Sequence, residues 1–197
     1  MEDLIAELKG RKANGTLCAD DPLLGGYAAP LRQSEIESAE AILGFKIPVL
    51  LRRIYAEVAN GGFGYAYGLL GLRGGPRNED GSDSVGLYQT FRELDPEDPA
   101  WHWPHGLLPI GHLGCAMFHC VQCNDPEHPI IWFESNLHEC EQSWDDSFIP
   151  SASSLETYLH AWLDGKDPFE TFANESQQSI QAEPALPAHP NPDCRSP

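Results

Sequence analysis

Basic side chains are scarce in this chain. Lys and Arg together number 12 against 30 Asp and Glu, a formal net charge of −18 over 197 residues. Binding to nucleic acid phosphates needs clustered Lys and Arg, so that function class is disfavoured. An anionic membrane surface is disfavoured for the same reason. No stretch approaches the roughly 18 consecutive apolar residues of a membrane span. The opening MEDLIAELKGRK is acidic and lacks the apolar core of a signal peptide, which predicts a cytoplasmic protein. Six Cys in a chain of this length do not make a disulfide framework, and in that compartment they are expected reduced. Catalytic signatures are missing too. There is no Gly-x-Ser-x-Gly, no Walker loop and no His-Glu-x-x-His. The Gly-Gly pairs at 61–62 and 74–75 lack the Lys and the helix of a phosphate loop and read as turns. No enzyme activity and no cofactor is expected.

What is present describes a globular domain. Hydrophobic residues make up 41% and there are five Trp, enough to bury a core. The central stretch runs from Trp101 to Glu134. Its apolar runs Leu107–Ile110 and Ile130–Phe133, with the Gly-Cys-rich segment Leu113–Val121 between them, are bounded by Gly, Pro, Asn and Asp and read as strands. Helices are expected on both sides.

Before the sheet, Leu4, Ile5 and Leu8 line a short helix ended by Gly10, in an N-terminal extension of residues 1–30. Ser34 and Glu37 form a capping box; Ile36, Ala39 and Leu43 follow at helical spacing and Gly44 stops the helix. Pro48 sits at the first position of the next helix, with Leu51, Ile54, Tyr55 and Val58 on one face and Asn60-Gly61-Gly62 as its end. Tyr65–Leu72 reads as a strand, and about Ser84–Arg92 as a helix with Leu87, Phe91 and Leu94 in register. After the sheet, Ser153-x-x-Glu156 caps a last helix carrying Leu155, Tyr158, Leu159 and Trp162. From Lys166 the composition turns to Pro, Ser, Gln and Asn, so residues 166–197 read as a Pro-rich tail, mobile from 174 on.

Three features in this order resemble the SUKH superfamily, which includes fungal cell-wall-synthesis regulators and bacterial immunity proteins. They are the Ser-Glu-Ile-Glu helix with its Leu43-Gly44-Phe45-Lys46-Ile47-Pro48 turn; the helix ending in Asn60-Gly61-Gly62 before Gly68-Leu69-Leu70; and Leu107-Leu108-Pro109-Ile110 through Gly114-Cys115, with the Ser154–Leu159 helix. The likeness spans roughly residues 31–165. It implies a single-domain α+β fold, a mixed and mainly antiparallel sheet packed against several helices. It also implies a non-catalytic protein that binds a toxin domain, nuclease- or deaminase-like, or alternatively a regulatory scaffold of the same fold with no toxin partner. One departure is visible: Cys120-Val121-Gln122-Cys123 stands where the family usually carries an acidic residue.

Candidate site residues come from the acidic loops. Glu93, Asp95, Glu97 and Asp98 surround Trp101 and Trp103, and Glu139, Glu141, Asp145 and Asp146 flank Trp144. Aromatic anchors with nearby charge suit an interface that would hold a basic toxin domain. The competing reading makes those Trp core residues and the carboxylates a solvated rim; Trp132 and Trp162 fall in strand and helix patterns and read as core. Cys120-x-x-Cys123 has zinc-knuckle spacing, with His119, His128, His138 and Cys140 near in sequence. Strand alternation would put His119 and Cys120 on opposite faces, however, and Cys115 and Cys120 read equally well as small buried hydrophobes. A small zinc-binding module is therefore the least favoured alternative function, and no metal is expected.

Overall fold

A computed structural model describes residues 2–21, 26–139 and 142–174. Helices α1 (Glu2–Ala13), α2 (Gln33–Leu43), α3 (Val49–Arg53) and α4 (Ser84–Phe91) precede the strands β1 (Leu107–Gly114), β2 (Met117–Gln122), β3 (Ile130–Phe133) and β4 (Phe148–Ala152); α5 (Leu155–Leu163) follows. The strands form one sheet in chain order, and every pairing among them is antiparallel. The expected parallel component reduces, among the described residues, to the isolated bridge between Ala19 and Gly64. The β1–β2 turn places Cys115 and Ala116 at φ 50° and 59°, the doubly left-handed geometry that matches strand twist in a tight hairpin.

Helix boundaries follow cap chemistry, and several lie one or two residues from those the sequence predicts. Arg32, not Ser34, caps α2: the Glu35 carboxylate accepts the Arg32 backbone N–H at 2.8 Å, while Glu37 accepts from the Gln33 side-chain amide. Pro48 is the residue before α3 rather than its first. The ladder of α3 then slips into a π-helical turn, Ile54–Val58, closed by the Ala59 N–H on the Ile54 carbonyl at 3.1 Å. Ser154, not Ser153, caps α5 by accepting the Thr157 N–H at 3.1 Å. Residues 65–72 do not form a strand. They touch β1 through the Leu69–Gly111 bridge and the Leu70 N–H on Ile110. They are held instead by Asn60, whose side chain accepts the Leu72 N–H at 2.8 Å and donates to the Arg73 carbonyl at 3.0 Å. Gly61 makes that turn possible: at φ 81°, a Cβ there would stand 2.6 Å from the Leu69 carbonyl oxygen.

The N-terminal helix joins the core. Leu4, Ile5 and Leu8 are buried in the same cluster as the sheet residues Leu108, Ile110 and Val121. Helix α1 runs past Gly10 to Ala13 and its Lys12 ammonium donates to the Val58 carbonyl. One buried carboxylate ties α2 to α3. Glu40, 3% exposed, accepts from Lys46 at 2.7 Å, from the Ile47 N–H at 3.3 Å and from Arg52.

Pleating gives the sheet two aromatic faces. Phe118 pairs with Phe133 and Phe133 with Phe148, and this face packs on Phe91 of α4 and on Trp103. His119 pairs with Trp132 on the other face, toward Tyr158 of α5 and Phe169. Residues 168–174, within the segment read as tail, are helical.

Candidate functional site

The two acidic loops meet. Trp144 donates its indole N–H to the Asp98 carboxylate at 2.7 Å, and His138 lies flat on Trp144, ring centroids 3.8 Å apart and 9° from parallel. His138 Nε2 is 3.4 Å from the same Asp98 oxygen, and His102 Nε2 is 3.2 Å from Asp145. Trp101 meets Trp144 edge to face at 4.8 Å and donates its own N–H to the Phe91 carbonyl at 3.0 Å. Segments that the sequence keeps some forty residues apart are thereby clasped around one aromatic floor.

Two adjoining cavities share that floor of Phe91, Trp101 and Trp144. The first, about 380 Å³, is bounded by Glu93, Leu94, Asp95 and Pro96. The second, about 240 Å³, is more enclosed and lined by Leu87, Phe118 and Phe133, with Asn78, Glu79 and Asp80 also in its wall. Leu94 is not the helix-face residue that its spacing predicts. It lies beyond α4 and is 89% exposed on the rim.

Glu93, Asp95, Glu97, Glu139, Asp145 and Asp146 are exposed, and Asp98, Trp101 and Trp144 half-buried. Trp103 is core: 2% exposed, with its indole N–H on the Leu107 carbonyl at 2.7 Å, it packs against Trp101 from the interior. Trp162 is core as well, at 8%. Trp132 is a correction, because it is only half-buried and lines a separate cavity with Phe169. Glu141 lies outside the described residues.

Among the described residues, no Lys or Arg comes within ion-pair distance of Glu93, Asp95, Glu97, Asp98, Glu139, Asp145 or Asp146. The nearest cation in sequence, Arg92, spends its guanidinium on the Trp103 carbonyl at 2.7 Å. Glu57 on the helical side is in the opposite state, held down to about 2 by Arg53 and then Lys9. Composition contains a signal for this division, because from Glu93 through Gly165 the chain has no Lys and no Arg. The rim residues Glu79 and Asp80 were not among the sequence candidates, and the clasp residue His138 was weighed only as a metal ligand. They come to the site through folding of distant loops.

Among the described residues, the Cys and His side chains do not assemble into a donor set. Cys120 and Cys123 are buried, and burial pushes both thiols up, away from the thiolate a metal would need. His119 is on the opposite face from Cys120, as pleating predicts. Its Nδ1 is 3.0 Å from the Tyr158 hydroxyl and its Nε2 is 3.3 Å from the Ser151 hydroxyl. Among the described residues, no group of three or more His, Cys, Asp or Glu is placed to hold a metal ion; Cys140 lies outside them.

Burial lowers His119 to about 4, so it is neutral in the fold. An unfolded His takes a proton near pH 6.5, so between 6.5 and 4 the unfolded chain binds more protons than the native one. Stability from this group is therefore full above pH 6.5 and falls as pH drops through the interval, by about 3 kcal/mol in all. Urea denaturation at pH 7 and pH 4 should show this drop in the parent and a drop smaller by that amount in His119→Gln. Equal drops would refute it.

No helix among the described residues is long and apolar enough to cross a membrane. No curated protein matches the chain. A family model does. The sheet, its flanking helices, the Gly44 turn and the Asn60 turn all lie within residues 30–161, the span matched by the model of the SMI1 / KNR4 family (SUKH-1). That family is generally non-catalytic and includes toxin immunity proteins, and the α+β fold found here agrees with it. With well over half its length covered by that match, the chain belongs to the SMI1 / KNR4 family (SUKH-1).

Proposed function

We propose that this chain is a non-catalytic immunity protein that binds a basic toxin domain, nuclease- or deaminase-like, in the acidic aromatic groove. The observation that carries the reading is the convergence of two acidic loops, free of Lys and Arg partners among the described residues, on the Trp101–Trp144 floor. Rim carboxylates that are not neutralised by Lys or Arg among the described residues raise the encounter rate with a positive surface, and half-buried Trp supply the apolar contact that slows dissociation. A surface built to bind nucleic acid is positive. Occupying it would deny the toxin its substrate without any chemistry by the binder. Membership of a family that includes immunity proteins supports the same conclusion.

The test uses the full chain, tagged, in its native cells. A partner of net positive charge should co-purify and should be toxic when produced alone. Glu93→Gln with Asp95→Asn and Glu97→Gln, all exposed positions, should slow its association about tenfold at low salt and flatten the salt dependence. Trp144→Ala should weaken the complex about 30-fold through faster dissociation. A co-purifying partner that is harmless to the cell would make the chain a regulatory scaffold instead. An association rate untouched by the triple change would remove the groove from the interface.

A further inference from the structure

The other face of the sheet has a cavity of its own, about 350 Å³, near the lower end of the roughly 300–1,000 Å³ range of small-ligand sites. We propose that it binds a quaternary ammonium group. Three rings and two carboxylates line it: Tyr65, Trp132 and Phe169, with Asp167 and Glu170. Trp132 and Phe169 stand edge to face, centroids 5.5 Å apart and planes at 79°, so they present two walls rather than one closed stack. Tyr65 donates its hydroxyl to Asp167 at 2.5 Å, which holds that ring and that carboxylate together. Asp167 uses its second oxygen to accept the Phe169 and Glu170 backbone N–H groups at 2.8 and 3.2 Å.

The charge balance calls for a cation. His119 at the cavity wall is neutral, and both its nitrogens are engaged with Tyr158 and Ser151. Lys166 is turned to Asp164 at 2.9 Å. Among the described residues, the two carboxylates therefore have no cation partner within the cavity. Hydrogen-bond accounting then selects the kind of cation. Both Asp167 oxygens already have donors, so that carboxylate keeps only part of its accepting capacity, and Glu170 supplies the rest. A primary ammonium would bring three N–H donors into a site that can answer few of them, and unanswered donors are costly. A quaternary ammonium has no N–H, is weakly hydrated, and is attracted by the faces of Trp, Tyr and Phe. Such a group could come from a small free molecule of the choline type or from a trimethylated lysine of a protein. The chemistry recognised is the same.

Trp132 makes the site testable without knowing the source, because its indole N–H is buried and has no hydrogen-bond acceptor among the described residues. Its resonance in a proton–nitrogen spectrum of the full chain reports on whatever enters. Tetramethylammonium and choline should shift it saturably, while the Trp101 and Trp144 indole signals stay in place. The neutral choline isostere 3,3-dimethylbutan-1-ol should bind at least about tenfold more weakly, since it has the shape without the charge. Glu170→Gln should weaken tetramethylammonium several-fold, and the intact spectrum would show that this variant is folded. A trimethyl-lysine peptide that binds more tightly than choline would identify a protein source, and the reverse a small molecule. No saturable shift, an equal response to the neutral isostere, or equal shifts at all the indoles would overturn the assignment. This face does not share the acidic groove, so the result stands apart from the fate of the immunity reading.

Discussion

Trp103→Ala is expected to lower folding stability by about 3–5 kcal/mol, the range found when a large buried aromatic is truncated. The ring is 2% exposed and contacts Phe91 at 4.5 Å, Phe133 at 4.9 Å and Phe148 at 5.4 Å. Removing it leaves a cavity between α4 and the sheet, and orphans the Leu107 carbonyl that its N–H now satisfies. Trp144→Ala should cost far less in the same urea experiment, because Trp144 is half-buried and its hydrogen-bonding partner Asp98 can turn to water. The two substitutions thus separate fold from binding. Trp103→Ala should remove partner binding only to the extent that it unfolds the protein, and Trp144→Ala should weaken it about 30-fold in a protein that remains folded. If Trp103→Ala unfolded less readily than Trp144→Ala, the assignment of the two indoles to core and groove would be reversed.

Glu40→Ala is expected to cost about 3–5 kcal/mol, the penalty of breaking a buried charge network from one side. Its side chain is 1% exposed and holds Lys46, Arg52 and the Ile47 N–H together. Truncation leaves the Arg52 guanidinium, 24% exposed, without its carboxylate, and a backbone donor without an acceptor. Lys46→Ala should cost under about 1 kcal/mol, because that ammonium is 75% exposed and its pairing is screened. The contrast is the measurement: similar losses for Glu40→Ala and Lys46→Ala would mean that the buried end of the network contributes nothing. The network also gives the Leu43–Pro48 motif its physical sense. Gly44 reverses the chain at φ 79°, and Glu40 then clamps the residues that follow onto α2.

Much of the fold is legible in residue patterns because those patterns are local. The Leu51, Ile54, Tyr55 and Val58 spacing marks a buried face even though the last turn is π-helical, since both windings keep these four side chains inside. The Asn60-Gly61-Gly62 turn is readable because positive φ needs such residues. Caps were displaced where a second candidate was adjacent, Ser153 beside Ser154 being the plainest case. Residues 65–72 look like a strand from their apolar content. Their backbone is instead claimed by Asn60 and by the turn at Gly68, and side-chain capture of backbone groups leaves no periodic trace. The groove was half legible. Its carboxylates and Trp residues stand out in composition, but the clasp of Asp98, His138 and Trp144, and the arrival of Glu79 and Asp80, are tertiary facts. Trp132 misled for a related reason: a strand position says which face a side chain takes, not what covers that face.

The stretch from Glu93 to Gly165 without Lys or Arg has a practical consequence for how this protein is handled. Trypsin cuts after Arg92 and next after Lys166, so β1 to β4, α5 and both groove loops leave as one long peptide. Amine-directed cross-linkers find Lys9, Lys12, Lys46 and Lys166, all away from the groove rim, and will miss a ligand seated there. Carbodiimide coupling, which joins these carboxylates to the lysines of whatever they hold, is the reagent that this surface invites.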